Sequence, residues 1–457
     1  MHKAALALLL LLAGHAAAQT MPNSRAPLSF APVVKRALPA VVNVFASRTE
    51  KRPQNPLFDD PVFRRFFGED GSPRARTQQS LGSGVIVDAS GLVVTNHHVI
   101  DGMTQVKIAL SDKREYEAEI VLRDPRSDLA VLKMKGSGPF PVVELADSDT
   151  LEVGDLVLAI GNPFGVGQTV THGIVSALAR TQTGISDYGF FIQTDAPINP
   201  GNSGGALVDM EARLAGINSA IFSQTGSSVG IGFAIPVDTV KGVVAAARLG
   251  VSRVTRPWLG ASLQNVSREI AESLALERAD GAIVSEVIDK SPAAEAGLKR
   301  GDIITLLDGK AVEDVEGFGY RYGAKPLGGQ SAFSVLRAGK PVALSIKLAG
   351  APEIPARDSR KIGGSSPFAG ATVVNLSPAV AEELSLESLR EGVAIAEIEE
   401  GSPAAEVELQ KGDLIVAVGD ARIATTKDLE KATAGRKPYW KLTIGRGGEV
   451  FTSVVGG

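Results

Sequence analysis

The stretch Gly201-Asn202-Ser203-Gly204-Gly205 has the composition that an exposed serine nucleophile requires. Small, turn-forming residues around Ser203 let the backbone bend sharply and bring consecutive N–H groups to face one point. Such N–H groups stabilise the oxyanion that forms when a hydroxyl attacks a carbonyl carbon, and we assign this oxyanion hole to Gly201, Asn202 and Ser203. Ordinary tight turns have a similar composition, so the assignment depends on finding a general base elsewhere in the chain.

Histidine is scarce in this chain, and its positions separate two classes of hydrolase. All five histidines precede Ser203: His2, His15, His97, His98 and His172. The pattern Gly201-x-Ser203-x-Gly205 also fits the nucleophile elbow of α/β-hydrolases, but in that fold the catalytic histidine follows the serine. The order histidine, aspartate, serine is that of the chymotrypsin-type proteases. The order therefore disfavours a lipase or esterase.

Either of two adjacent histidines is a candidate general base. His97 and His98 lie where the segment Val93–Ile100 changes from a predicted strand to a turn, and both remain open on this evidence. His172 lies in a predicted strand interior and is interpreted as structural, although chain order alone also permits an Asp128–His172–Ser203 set.

Two acidic residues flank the turn before the apolar strand Leu129–Leu132. Asp124 precedes a proline and fits a turn-capping role. Asp128 stands at the start of the buried strand, where a carboxylate needs a partner to be tolerated. Asp128 is therefore the candidate for the third catalytic residue.

The stretch Thr95-Asn96-His97-His98-Val99 resembles the histidine signature of the Deg/HtrA (protease Do-like) serine proteases. In that family the catalytic histidine directly precedes the valine, which implies His98 as the base. The family's triad aspartate has an Asp-x-Ala-like context, which matches Asp128-Leu129-Ala130. The resemblance implies that Ser203 attacks the scissile carbonyl, that His98 carries the proton and that Asp128 orients the imidazole.

Length and composition indicate an exported protein of several domains. The 457 residues predict roughly three domains. Residues 1–18 have the positive start, short apolar core and small-residue end of a secretory signal peptide, and no later stretch approaches membrane-spanning length. Without cysteine the chain has no disulfide or thiol nucleophile, and its net charge of −4 gives no reason to expect nucleic acid as a partner.

Residues 19–250 are predicted to form a mainly β protease domain. Short Val/Ile/Leu-rich runs alternate with glycine turns from Gly82 to about Ile235, which predicts antiparallel barrels. Together with the histidine, aspartate, serine order and the family resemblance, this implies a chymotrypsin-like double β-barrel. A boundary near residue 147 would place His98 and Asp128 in the first barrel and Ser203 in the second. The resemblance implies a regulatory loop at about 50–80 and activation loops at 161–165 and 181–189.

The residues before Ser203 predict the substrate preference. Pro197 and Ile198 stand where an acidic residue would select Lys or Arg at the cleaved position. We therefore expect a small-to-medium apolar pocket and cleavage after aliphatic residues such as Val, Ala or Ile. Ile231, Gly232 and Phe233 resemble a strand end that pairs with the substrate backbone.

The C-terminal half contains a duplication. Ser291-Pro292-Ala293-Ala294 recurs as Ser402-Pro403-Ala404-Ala405, and Gly301-Asp302 recurs as Gly412-Asp413, with both pairs offset by 111 residues. The α+β repeats are predicted at 256–350 and 368–457. They are separated by residues 351–367, whose Pro, Gly, Ser and charged composition is typical of a linker.

Each repeat resembles a PDZ domain, a class that binds extended peptide C-termini by adding a strand to a sheet edge. The loops that would hold the terminal carboxylate are Leu259-Gly260-Ala261 and Ala369-Gly370-Ala371. Neither has the standard Gly-Leu-Gly-Phe form, so the second repeat could serve assembly instead of peptide capture.

The Deg/HtrA resemblance covers nearly the whole chain after the signal peptide. It implies an ATP-independent periplasmic serine endopeptidase that degrades misfolded proteins, forms a homotrimer or larger oligomer and is regulated by its PDZ domains. No nucleotide-binding loop or metal-ligand cluster is evident, so we expect no cofactor. The alternative hypothesis is a periplasmic chaperone or binding protein whose protease domain is mostly in a resting state.

Overall fold

The computed structural model describes residues 29–50, 76–162, 167–180, 190–199, 201–221, 229–251, 253–274, 276, 278–384, 386 and 392–456. The predicted signal peptide at 1–18, most of the predicted regulatory loop at about 50–80 and the predicted activation loop at 181–189 lie outside these residues, as does most of the loop at 161–165.

The first half of the protein forms two closed antiparallel barrels, which confirms the predicted double-barrel fold. The strands of the first barrel, in spatial order β1-β2-β3-β6-β5-β4, are β1 (Val41–Glu50), β2 (Arg76–Asp88), β3 (Leu92–Asn96), β4 (Gln105–Ala109), β5 (Glu115–Asp124) and β6 (Leu129–Met134). The strands of the second, in order β10-β11-β12-β9-β8-β7, are β7 (Leu156–Gly161), β8 (Thr169–Arg180), β9 (Phe191–Thr194), β10 (Ala206–Val208), β11 (Leu214–Ile221) and β12 (Gly232–Pro236).

Buried aliphatic side chains join the two barrels. One continuous apolar cluster includes Ile86 and Leu132 of the first barrel together with Ile160 and Ile217 of the second. Because burying each such side chain contributes about 1.5–3 kcal/mol, this shared cluster holds the barrels in a fixed relative position. A catalytic site built from both barrels therefore has a rigid support.

The second half of the protein forms two similar sheets, one for each predicted repeat, and the second also includes a short strand from the predicted linker. The first contains β13 (Ala261–Asn265), β14 (Ala282–Val287), β15 (Ile303–Leu307), β16 (Lys310–Ala311), β17 (Gln330–Arg337) and β18 (Lys340–Lys347). The second contains β19 (Arg360–Lys361), β20 (Ala371–Asn375), β21 (Val393–Ile398), β22 (Leu414–Val418), β23 (Ala421–Arg422), β24 (Tyr439–Arg446) and β25 (Glu449–Gly456).

Most of the helices among the described residues are short. They are α1 (Ala31–Ala37), α2 (His97–Ile100), α3 (Val237–Arg248), α4 (Arg268–Ser273), α5 (Pro292–Glu295), α6 (Val315–Gly323), α7 (Pro378–Glu383), α8 (Pro403–Glu406) and α9 (Thr426–Ala432). None of them combines the length and the apolar character needed to cross a bilayer.

The repeated Ser-Pro-Ala-Ala motif begins a helix in both sheets. Ser291 caps α5 by accepting a hydrogen bond from the Ala294 N–H, and Ser402 caps α8 in the same way through Ala405. A serine cap followed by proline at the first helical position satisfies a free N–H group without losing a hydrogen bond. The motif therefore recurs because it starts the same helix in each repeat.

The first repeat is anchored to both barrels. Arg256 forms a buried ion pair with Asp124 of the first barrel. Tyr320 of α6 stacks on Phe190, which immediately precedes β9, with ring centroids 3.7 Å apart. The predicted turn-capping residue Asp124 thus has an additional, interdomain partner.

Candidate active site

The pairing of β3 with β6 brings a histidine and an aspartate together. Asn96 lies opposite Leu129 in this antiparallel pair, so the residue after β3 and the residue before β6 are neighbours. His98 follows in the short helix α2, and its Nδ1 lies 2.8 Å from Asp128 Oδ2 and 3.0 Å from Oδ1. Asp128 adopts a left-handed conformation with φ 53°, which Asp tolerates better than most residues.

Asp128 is held in place by further hydrogen bonds. Both the His97 N–H and the Asn96 side-chain amide donate to its carbonyl oxygen at 3.0 Å. The His98 N–H donates to Oδ1 at 3.0 Å, and the Ser219 hydroxyl donates to Oδ2 at 2.9 Å. Because Asp128 is only 8% exposed, these donors stabilise a carboxylate that water cannot solvate. They also fix the orientation of the carboxylate against the imidazole.

Ser219 was missed by the sequence analysis. It is buried at 2% exposure in β11, and its carbonyl oxygen accepts a hydrogen bond from the Ser203 hydroxyl at 3.0 Å. Ser219 therefore contacts both the serine and the aspartate of the candidate site. The available signal was the polar pair Asn218-Ser219 inside an otherwise apolar strand, where buried polar groups need specific partners.

The serine lies in a turn that the first barrel holds directly. The Ser83 N–H donates to the Ser203 carbonyl at 2.8 Å, and the Ser83 hydroxyl donates to the Gly201 carbonyl at 2.7 Å. Gly204 has φ 83°, and a Cβ atom there would lie 2.1 Å from the Ser83 carbonyl oxygen. Only glycine fits this position, which explains one of the glycines around Ser203.

Ser203 is in a resting orientation. Among the described residues its hydroxyl donates to the Ser219 carbonyl and not to the imidazole of His98. The His98 side chain is half exposed at the cleft, so its outer nitrogen is accessible.

The predicted oxyanion hole is only partly available in this conformation. The Asn202 N–H donates to the Asn199 carbonyl at 2.9 Å, so this donor is occupied. The N–H groups of Gly201 and Ser203 have no acceptor within the part of the chain that the structure describes. Two N–H groups at this spacing form the oxyanion hole in the chymotrypsin-type arrangement. Asn202 becomes a third donor only if the turn moves.

The other two histidines in the described chain have different surroundings. His172 lies on the outside of β8, and its ring is 5.3 Å from that of Phe30. His97 faces Asp101, with Nε2 3.9 Å from Oδ1, and burial lowers the pKa of His97 more than this exposed aspartate raises it. His97 is therefore neutral at physiological pH.

Replacing His97 with asparagine is expected to leave cleavage activity unchanged and to flatten the pH dependence of stability. The folded protein holds the pKa of His97 below its ordinary value of 6.5, so the unfolded chain binds the proton more readily. Wild-type stability therefore falls as pH drops below about 6.5, and His97→Asn should lose less stability over that range. Urea unfolding followed by circular dichroism at neutral pH and about pH 5 measures the difference. An inactive His97→Asn variant would contradict the assignment of the base to His98.

The predicted substrate-pairing strand requires a correction. Gly232 lies opposite Ile221 of β11 on one side and opposite Thr194 of β9 on the other, and Phe233 is likewise paired on both sides. Their backbone groups belong to a central strand and are not free to pair with a substrate. Ile231, which precedes β12, is partly buried. The sequence could not show this, because an edge strand and a central strand have the same pattern of apolar and polar residues here.

One side of the candidate pocket is apolar. Ile198 is buried at 2% exposure, and a Cβ atom on Gly232 would lie 2.8 Å from its Cδ1 atom. Ile198 therefore packs directly against the Gly232 backbone, and a side chain at position 232 would clash with it.

Among the described residues, one group of carboxylates is close enough to hold a metal ion. The oxygens of Asp147, Asp149 and Asp238 lie within 4.8 Å of one another. Lys310 pairs with Asp149 and Lys241 pairs with Asp238, so lysines already balance two of these charges.

The protein has two six-stranded barrels, one with a His–Asp pair and the other with a serine just before a strand. This arrangement is that of the chymotrypsin-type serine proteases. A model of the trypsin-like peptidase domain matches residues 82–217, and a model of the PDZ domain matches residues 257–348 and 369–453. The chain belongs to the family of DegP- and DegQ-type periplasmic serine endoproteases, and it is a periplasmic serine endopeptidase with PDZ domains.

The alignments with relatives of this family cover most of both proteins. The periplasmic serine endoprotease DegP of Salmonella typhimurium is 37% identical, with 94% of this chain and 91% of that protein covered. The periplasmic pH-dependent serine endoprotease DegQ of Escherichia coli is 39% identical, with 93% and 91% covered. The solved structure of the HtrA-type protease AlgW with a decapeptide is 45% identical, with a TM-score of 0.55 and coverage of 71% of this chain and 99% of that chain.

Proposed function

We propose that this protein hydrolyses peptide bonds of misfolded or damaged periplasmic proteins, without ATP, through the triad His98, Asp128 and Ser203. The observation that carries the proposal is the 2.8 Å contact between His98 Nδ1 and Asp128 Oδ2, with Ser219 hydrogen-bonded to both Asp128 and Ser203. We assign the protease domain to residues 19–250, and the two PDZ domains to residues 256–350 and 368–457.

The proposed chemistry follows from the position of each group. The Ser203 hydroxyl rotates away from the Ser219 carbonyl, loses its proton to Nε2 of His98 and attacks the scissile carbonyl carbon. Asp128 accepts the hydrogen bond from Nδ1 and stabilises the imidazolium that forms. The N–H groups of Gly201 and Ser203 bind the oxyanion, and His98 then returns the proton to the leaving amine. His98 then takes a proton from water, which attacks the acyl carbon, and the proton passes to the Ser203 oxygen as the ester bond breaks.

The pocket beside Ser203 supports cleavage after small aliphatic residues. Ile198, packed against the Gly232 backbone, contributes an apolar wall, and Pro197 contributes no charge. A lysine or arginine side chain would lose its hydration there without gaining a carboxylate partner. Val, Ala and Ile are therefore the proposed residues on the N-terminal side of the cut.

The first PDZ domain has the features of an open peptide-binding groove. Gly260 has φ 71°, which turns the Leu259-Gly260-Ala261 loop, and no described residue accepts a hydrogen bond from the N–H of Leu259 or Gly260. Within the described chain β13 pairs only with β14, so its other edge is available for an added strand. We propose that peptide C-termini bind here and shift the protease from its resting to its active geometry.

Cleavage of an unfolded protein, measured with and without a peptide that has an apolar C-terminus, tests this proposal. We expect the peptide to accelerate cleavage, because binding to one domain can shift an equilibrium between resting and active states. Mass spectrometry of the products should show Val, Ala or Ile at the new C-termini. Product ends rich in Lys, Arg or aromatic residues would contradict the proposed pocket. Sedimentation of the same sample tests the proposed homotrimer or larger oligomer.

A second candidate function is a chaperone whose protease domain stays at rest. The hydrogen bond from the Ser203 hydroxyl to the Ser219 carbonyl favours this alternative, because the hydroxyl then does not donate to His98. A wild-type protein that prevents aggregation of the unfolded substrate but never cleaves it, under any peptide condition, would support the chaperone and overturn the protease proposal.

A further inference from the structure

A segment of the linker covers the edge of the second PDZ sheet. β19 pairs with β20 in antiparallel register, with Arg360 opposite Val373 and Lys361 opposite Thr372. The equivalent strand of the first PDZ domain, β13, has no such partner within the described residues. The two repeats therefore differ at the one edge where a PDZ domain receives a peptide.

The same segment reaches the second carboxylate loop. The Gly370 N–H donates to the carbonyl oxygen of Ile362 at 2.9 Å, and the Ile362 N–H donates to the Ala371 carbonyl at 2.8 Å. The chain runs toward the loop, in the direction that a peptide with its C-terminus in the loop would take. The carbonyl oxygen of Ile362 thus occupies the position of a carboxylate oxygen. In the first repeat, the N–H of Gly260 has no acceptor in the described chain.

The side chain of Ile362 fills an apolar site. It is 5% exposed and belongs to the core cluster that contains Phe368 and Ala371. Immediately afterwards Gly364, at φ 82°, turns the chain away from the groove. A positive φ is accessible to glycine at little cost, so the chain can leave the loop without a free terminus.

Side-chain contacts hold the segment between β20 and the helix α9. Arg360 Nη1 lies 2.7 Å from Glu430 of α9, and the Thr426 hydroxyl at the start of α9 donates to Asp358 at 2.8 Å. At the far end of β20, the Asn375 N–H donates to the Arg357 carbonyl at 2.7 Å. The segment is therefore engaged along its length, by strand pairing on one side and by the helix on the other.

We propose that residues 356–362, which we call the linker strand, are an internal ligand that closes the groove of the second PDZ domain. The first PDZ domain is then the open peptide receptor, and the second receives an external C-terminus only when the linker strand leaves. This inference rests on the proposed function of the PDZ grooves as binding sites for peptide C-termini.

The linker strand competes with external peptides at a high local concentration. A ligand on a short tether has an effective concentration in the millimolar range, so a peptide that binds the open groove at about 10 µM should bind the closed one about 100-fold more weakly. At micromolar concentrations of peptide, the second groove of the wild-type protein should therefore remain closed.

The experiment uses the full chain with Ser203→Ala, so that peptides are not cleaved. The probe is a fluorescein-labelled peptide Ala-Arg-Asp-Ser-Arg-Lys-Ile, which has the sequence of the linker strand but ends in a free carboxylate. Ile362→Ser removes the apolar anchor and should create one additional probe site per chain. Lys361→Ala is the matched control, because Lys361 is exposed and pairs with Glu399 on the surface. This control should leave the number of sites unchanged.

A disulfide bridge between β19 and β20, which holds the linker strand in the groove, provides a second test. The chain has no cysteine, so Lys361→Cys with Thr372→Cys creates a single possible bridge between facing residues of β19 and β20. In the chain that also carries Ile362→Ser, the additional site should be absent after oxidation and present after reduction. If Ile362→Ser alone fails to fold, the cysteine pair without it should bind the same number of probe molecules in both redox states.

The outcomes separate this inference from the proposed function. Three results would overturn the proposal that the linker strand is an internal ligand. They are failure of the disulfide to form, no additional probe site in a folded Ile362→Ser variant, and loss of a wild-type probe site when the disulfide locks the strand. A different result would overturn only the proposed function of the first PDZ domain. If the wild type binds no probe but Ile362→Ser gains a site, the linker strand is an internal ligand and the first PDZ domain does not bind peptide.

Discussion

Replacing Ser203 with alanine is expected to lower kcat for an unfolded protein substrate by about 10⁵- to 10⁶-fold. The hydroxyl is the only group in the turn that can form the acyl-enzyme, since its neighbours Asn202 and Gly204 carry no nucleophile. His98→Ala should cost a similar factor, because without the base the hydroxyl keeps its proton. The double variant should be no slower than either single variant, since the two residues act as a unit. Release of fluorescent fragments over hours measures these rates.

The control for this prediction is peptide binding. Both variants should bind a peptide with an apolar C-terminus as the wild type does, because the Leu259-Gly260-Ala261 loop is built by a different domain. A His98→Ala variant that keeps wild-type activity would move the base to His97 or His172. A Ser203→Ala variant that keeps it would exclude the proposed nucleophile.

Replacing Asp128 with asparagine is expected to lower kcat by about 10⁴-fold with little change in KM. Both carboxylate oxygens accept hydrogen bonds: Oδ1 from the His98 N–H and Oδ2 from Ser219. An asparagine side chain has only one oxygen, and its NH₂ group takes the place of the other. Because both positions face a hydrogen-bond donor, the NH₂ group cannot accept there and one of these contacts is lost. If that NH₂ faces the imidazole, Nδ1 becomes the acceptor and the proton moves to Nε2, where it blocks the base.

Steady-state kinetics of Asp128→Asn separates a catalytic from a structural role. Asp112→Asn is a suitable control, because that carboxylate is exposed on the turn between β4 and β5 and should leave kcat unchanged. A loss confined to KM, or a thermal midpoint that falls in parallel with activity, would contradict the proposed orienting role of Asp128.

Much of this fold could be predicted from local sequence. The predicted apolar strand Leu129–Leu132 lies within β6, which extends to Met134. The duplicated Ser-Pro-Ala-Ala motif predicted two related domains, because a capped helix start is encoded within a few residues. The pairing of His98 with Asp128 could be proposed because each side chain stands beside the end of a recognisable strand.

Features set by long-range pairing were not predictable in the same way. Ser219 looks like any small polar residue in a strand, and only the docking of the barrels places it against Asp128. The two-sided pairing of Gly232 depends on which strands become its neighbours. Residues 351–367 have the Pro, Gly, Ser and charged composition of a linker, yet Ile362 supplies one apolar anchor that the carboxylate loop can hold.

Covalent labelling of the wild-type protein with a fluorophosphonate is the most direct test of the central claim that His98, Asp128 and Ser203 form a working triad. The reagent phosphonylates a serine hydroxyl that a neighbouring base has activated, and peptide mapping by mass spectrometry identifies the modified residue. The account predicts one label per chain on Ser203, matching loss of proteolysis, and no label in His98→Ala. Proteolysis that continues unchanged in fully labelled protein, or a label on another serine that abolishes cleavage, would contradict it.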